Sequence, residues 1–477
     1  EAVDAGEVQA ATGDTAGEPG SVASRSADGR LPGGAERARD TLWAMVASGG
    51  STAGLVPLAR WGGQSAGNGS VAGSAAYGSF TVGVHTSDWQ ALGICRSEAA
   101  AMNPHQLAVL EQSYHALHGV ACTRVSLAAS DVGVLVALPG ACAGQPGGGL
   151  CCDAATPSVY DVTGHTLSVA SGRVSHVLGL TGPCVTVDTA CSAASTATHA
   201  GCCALRLREC GAAISCAAGL MLDGGGNAAT SAAGMLSPLG QCHTFDRRAD
   251  GYCRAEGVVT VALHASLGAS VEAGAWWCAE AMLGSAAQQD GPSASLTAPN
   301  GSAQRRLLRA AASVSCSSVL EPAVVEAHGT GTALGDPIEV GSVVDAMSRG
   351  RALGWSLSCG PVKANAGHLE IAAAGAGLVA LAVAVLGRAR GYASAQLREM
   401  NPKLAPMVHE TGGCELQTEL APTVGASGAL VMAGLTSLGY SGTVTHGLFR
   451  VAGLPLNSCG VRHLVSLSIK PRSPRAL

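Results

Sequence analysis

Short β-branched runs alternate with longer helical stretches along this chain. DVGVLVAL at 131–138 reads as a strand, and Val185-Thr186-Val187 as a second, short and buried. Pro104–Leu117 reads as a helix. GAAISCAAGLML, VVTVALHASL, AVVEAHGTGT, WSLSCGPVKANAGH and ALVMAGLTSLGYSG continue the alternation, which makes an α/β fold. One strand leads to Cys191, and later strands lead to His328, His368 and Gly439. That is the layout of two similar halves meeting at one site. The apolar run Ile371–Gly387 is close to the shortest length that spans a membrane. It is mostly Ala and Gly, follows Glu370 and ends at Arg388, so it predicts a buried core helix rather than a membrane span.

The pattern sets boundaries. Residues 1–29 are rich in Gly, Ala, Ser and acid and read as a disordered tail. Residues 30–270 form the half that carries Cys191, and 271–453 the half that carries His328 and His368. Residues 61–79 read as a Gly/Ser-rich surface loop, and ACAGQPGGGLCC as a glycine-rich one. Residues 454–477 carry Arg462, Lys470, Arg472 and Arg475 among three prolines and read as a basic tail or linker.

Composition narrows the picture. Hydrophobic residues make up 47% and charged residues 13%, which excludes a disordered chain. Aromatics are only 3% against 66 glycines, so the core is built from Ala, Val, Leu and Cys with close backbone packing. A net charge of −5 gives no electrostatic case for nucleic acid. The 18 cysteines contain no C-x-x-C pair, and the doublets Cys151-Cys152 and Cys202-Cys203 are poor metal geometry. They read as core fillers in a reducing compartment, with neither disulfide nor metal. Residues 1–24 hold acidic residues and no Lys or Arg, unlike a secretory or transit peptide. The expectation is a soluble intracellular protein, cytoplasmic before organellar.

Three segments carry candidate chemistry. In VTVDTACSAASTATHAG, residues 185–201, a strand turns into a helix at Cys191. Unpaired N–H groups and the helix dipole there favour thiolate, the nucleophilic form. In VVEAHGTGTALGDPIEVGSV, residues 324–343, a strand delivers His328 to a glycine-rich turn. Thr330 and Thr332 present hydroxyls along it, and Asp336-Pro337 marks a helix start. In GPVKANAGHLE, residues 360–370, Lys363, Asn365 and His368 share one short connection. A lysine beside a buried helix needs a partner, or orients the histidine.

These three motifs, in this order, resemble the β-ketoacyl synthase family of condensing enzymes. MNPHQLAVLE, YDVTGHTLSVASGRVSHVLGLTGP, LSPLGQCHTFDRRADGYCRAEG and SLTAPNGSAQ resemble further segments of that family, from about Arg30 to about Phe449. VEAHGTGT and KANAGHLE are similar to the polyketide synthase and type I fatty acid synthase branch. SVASRSADGRLPGG departs from the family's opening strand. SLGYSGTVTH, residues 437–446, departs from its late SFGFGGTNAH loop.

The resemblance implies a thiolase-like layered αβαβα sandwich and an acyltransferase without a bound cofactor or metal. Cys191 would carry the acyl group, and His328 and His368 would stabilise the enolate of a decarboxylated malonyl-type extender, with Lys363 in support. The N–H groups of Cys191 and Tyr440 would form an oxyanion hole. Thr330 and Thr332 would bind the phosphopantetheine of an acyl carrier protein. A homodimer is implied too. The alternatives are a non-catalytic partner of the chain-length-factor kind and a relative that only decarboxylates.

Overall fold

The computed structural model describes residues 29–30, 45–46, 48–62, 73–81, 83, 87–119, 122–140, 158–266, 280–315, 322–347, 357–386, 389–409, 414–419, 421–422, 431–451 and 462–467. The tail at 1–28, the glycine-rich loop after residue 140, the boundary near 270 and most of 454–477 lie outside these.

The first half holds β1 (Gly133–Ala137), β2 (Cys184–Val187), β3 (Ala212–Gly219) and β4 (Gly257–Ser266). The second holds β5 (Glu280–Gln289), β6 (Val324–Glu326), β7 (Leu357–Gly360), β8 (Cys414–Leu416), β9 (Val431–Leu438) and β10 (Thr443–Val451). In the first half the strands run β2-β1-β3-β4, with two parallel pairings and then an antiparallel one. In the second they run β7-β6-β9-β10 with the same sequence of pairings. The two halves therefore share one topology.

The last strand of the second half, β10, pairs with β5. On the matching edge of β4 lie Gly29–Arg30 and β11 (Arg462–Leu467). Of the opening strand, Gly29–Arg30 fall within the described residues and pair with Val259 and Val258. Within the stretch expected to be a basic tail, the alternating RHLVSL forms a strand that also touches β5.

Among the described residues the longest helices complete the layers: α1 (Pro104–Gly119), α2 (Leu167–Leu178), α3 (Ala193–Leu207), α4 (Gly301–Val314), α5 (Gly335–Met347) and α6 (Ala373–Leu386). On β4, Val259, Val261 and Leu263 face a core shared with α3 and α6, while Val258 and Ala262 face α1 and α2. This two-residue period separates inner from outer layer. On the far side α4 and α5 cover the second half's strands. The central layer explains the composition. A Cβ on Gly375 would stand 2.9 Å from Val259 of the first half, and one on Gly377 would stand 2.8 Å from Leu435 of the second. Only small residues let α6 sit this close to both. Among the described residues no helix is long and apolar enough to cross a membrane, and α6 is a core helix.

Three local expectations change. Val185 is 44% exposed, because β2 is the edge of its sheet and alternation cannot tell an edge from an interior. The ends of the 61–79 segment are tied down: Trp61 and Ser79 are buried, and Asn227 Nδ2 donates to the carbonyls of Ala75 and Tyr77. Of the described cysteines, none in a disulfide, Cys95 and Cys184 are exposed and are not core fillers.

Candidate active site

β2 ends at Val187, and a single 3-10 turn, Ala190–Ser192, precedes α3. Ala190 takes φ +53°, and its N–H donates to Asp188 Oδ1 at 2.8 Å. This tight reversal sets the buried Cys191 at the head of α3. Ser437 Oγ of β9 donates to the Cys191 carbonyl at 2.7 Å, fixing the turn against the second half.

The second half brings up both histidines. His368 Nε2 lies 3.0 Å from Cys191 Sγ. The His328 and His368 rings meet edge to face, with centroids 5.5 Å apart. His368 Nδ1 accepts the Glu370 N–H at 3.2 Å, and His328 Nδ1 accepts the Leu438 N–H at 3.3 Å. A ring nitrogen that accepts an N–H leaves the proton on the other one. Each neutral histidine therefore carries its proton on Nε2, and at His368 that nitrogen faces the sulfur.

Burial and charge together keep them neutral. Burial first, and then the ammonium of Lys363, hold both rings well below the usual imidazole range. Lys363 is itself buried, in the short helix Lys363–Ala366. The Cys191 thiol goes the other way from the sequence expectation. Burial and the Glu370 carboxylate push it up to about 12, against the pull of Lys363 and of the Tyr440 and Cys191 amides. Desolvation outweighs the turn's dipole, so the resting group is a thiol. The two amides that bear on the sulfur are the expected oxyanion pair.

The loop after β9 is well anchored despite its unusual sequence. Gly439 N–H donates to the Thr443 carbonyl at 2.8 Å, and Gly442 takes φ +90°. A Cβ on Gly439 would stand 2.6 Å from the Thr189 carbonyl. Leu438 is half-buried against Ala286, Leu307 and Val444, while Tyr440 is 57% exposed.

Thr330 and Thr332 lie on the turn after His328, their hydroxyls 3.5 Å apart. The buried Asp336 ties that turn by accepting the N–H groups of Gly331 and Phe245. Two carboxylates escaped the sequence reading. Glu339 accepts the N–H groups of His328 at 2.6 Å and Gly329 at 2.8 Å. Glu326 accepts the Val362 N–H at 2.8 Å and the Tyr392 hydroxyl. Glu326 could have been found, since a carboxylate inside a buried strand two residues before His328 needs a reason.

A family model for the beta-ketoacyl synthase N-terminal domain matches residues 20–267, and one for the C-terminal domain matches 280–389. The chain belongs to the beta-ketoacyl synthase family. It is 36% identical over 376 residues to erythronolide synthase EryA3 of Saccharopolyspora erythraea, covering 78% of this chain and 11% of that protein. It is 39% identical over 379 residues to the mycoketide-CoA synthase of Mycobacterium tuberculosis, covering 77% of this chain and 9% of that protein. This chain thus spans a small part of these relatives. The ketosynthase from module 6 of the bacillaene synthase of Bacillus subtilis matches with a TM-score of 0.76 at 25% identity. That match covers 90% of this chain and 72% of that one. The fold is the thiolase-like one of ketosynthase domains.

Proposed function

We propose that this ketosynthase domain catalyses decarboxylative Claisen condensation between an acyl group on Cys191 and a malonyl-type carrier thioester, in polyketide biosynthesis. The observation that carries the reading is the convergence of Cys191 with two histidines, each aligned as an Nε2–H donor.

In the first step Cys191 sulfur attacks the incoming thioester. The carrier thiol leaves with the Cys191 proton, and the acyl group stays on Cys191. The Cys191 and Tyr440 amides hold the oxyanion that forms on the acyl carbonyl. In the second step the extender's carbon–carboxylate bond breaks and carbon dioxide leaves. The electron pair forms an enolate whose oxygen accepts from His328 and His368, worth a few kcal/mol per donor in a dry site. The enolate carbon then attacks the Cys191 thioester. The carbon–sulfur bond breaks, the β-ketoacyl carrier departs, and the thiolate regains a proton. Lys363 serves by keeping both rings neutral and their donors intact.

Thr330 and Thr332 offer hydroxyls to the phosphopantetheine arm, and the partner is an acyl carrier protein. No bound cofactor is needed. A second copy of the chain fits the exposed edge of β2, because parallel strands are normally covered and Val185 is not. The test is mass spectrometry after incubation with an acyl-carrier thioester. An acyl adduct on Cys191, absent from Cys191→Ala, is expected; an unmodified Cys191 with a competent carrier would sink the reading.

A further inference from the structure

We propose that Arg254 and Glu370 act as a positioning pair that aims the Glu370 N–H at His368 Nδ1 and so holds His368 as an Nε2–H donor. The inference rests on the condensation proposed above and names what sets its second histidine.

Glu370 has φ +48°, a left-handed conformation that a residue with a Cβ adopts only when its surroundings enforce it. Its N–H donates to His368 Nδ1 at 3.2 Å. The enforcing contact is a two-pronged ion pair. Arg254 Nε donates to Glu370 Oε1 at 2.6 Å, and Nη2 donates to Oε2 at 2.9 Å. The guanidinium is itself fixed, since Nη1 donates to Oδ1 of the buried Asn227 at 2.5 Å. A Cβ on Gly226 would stand 2.7 Å from Nη1, so the pocket around the guanidinium is tight.

The residues flanking Arg254 hold the histidine's main chain. His368 N–H donates to the Cys253 carbonyl at 2.7 Å, and Ala255 N–H donates to the His368 carbonyl at 2.8 Å. One three-residue segment of the first half thus grips His368 by its backbone and, through Glu370, by its ring. The corresponding turn before α3 needs no such pair. Ala190 has the same sign of φ, and Asp188 two residues earlier takes its N–H.

The pair also matters for charge. Glu370 raises the Cys191 thiol, and Arg254 is the cation paired with that carboxylate. An Arg in this place presents the flat fork that a carboxylate accepts at two points, which Lys does not.

The experiment is 15N NMR of histidine-labelled full chain, together with separate assays of Cys191 acylation and of carbon dioxide release from a malonyl-carrier thioester. Wild type should show His368 with Nδ1 bare and Nε2 protonated. Glu370→Ala and Arg254→Leu should each mix the tautomers and slow carbon dioxide release by about tenfold or more, with acylation within about twofold of wild type. Glu370→Gln, which keeps an acceptor for Arg254, should restore most of the tautomer signal. A single Nε2–H tautomer in both disrupted variants would overturn the proposal. So would acylation and carbon dioxide release falling together, the mark of a merely structural role. Wild type that acylates no cysteine and releases no carbon dioxide would instead refute the condensation, while the tautomer readout would still decide the pair.

Discussion

The turn before α3 and the turn before α6 occupy the same place in two halves of one topology, yet they carry different chemistry. Each is a single 3-10 turn beside a left-handed residue, Ala190 in one and Glu370 in the other. The next residue is Cys191 in the first half and the buried, inert Ile371 in the second. The second half gains its function upstream, in the longer connection from Gly360 that inserts Lys363 and His368. One scaffold thus presents a nucleophile at the helix head in one copy and a proton-bearing ring just before it in the other. Under the proposed function, the difference assigns capture of the acyl group and stabilisation of the enolate to different halves, joined where His368 meets Cys191.

The largest break in this comparison comes from the second half. His328→Ala removes one enolate donor and should lower condensation about 10²–10³-fold while Cys191 still accepts an acyl group. Product formation and adduct mass, measured on the same sample, check both parts; unchanged condensation would remove His328 from its role. A smaller, graded effect sharpens the first half. The Cys191 thiol is raised to about 12, so the thiolate fraction grows as pH rises and has no midpoint below that value. Alkylation of Cys191 by iodoacetamide should therefore climb about tenfold per pH unit from pH 7 to pH 10. A plateau near pH 8 would mean that Lys363 and the two amides outweigh burial.

The α/β alternation, the cysteine and both histidines were legible because Cys191 and His328 stand just after strand ends and His368 sits in a dense local motif. The sign of the thiol's shift was not. It depends on burial between layers and on Glu370, a residue 179 positions later that only the fold brings near. Arg254 escaped for the same reason, since its partner lies in the other half. The exposure of Val185 was hidden because a β-branched run has the same pattern at an edge as in the middle of a sheet. The 437–446 segment looked doubtful by its departures at Leu438 and Val444. Its working contacts come from main-chain amides and Ser437, which those side chains leave untouched.

Separation of the two tasks is tested most directly by carbon dioxide release from a malonyl-carrier thioester in Cys191→Ala. The histidine donors do not depend on the thiol, so decarboxylation should persist while condensation and the acyl adduct vanish. Loss of carbon dioxide release along with condensation would contradict the assignment of enolate stabilisation to the second half.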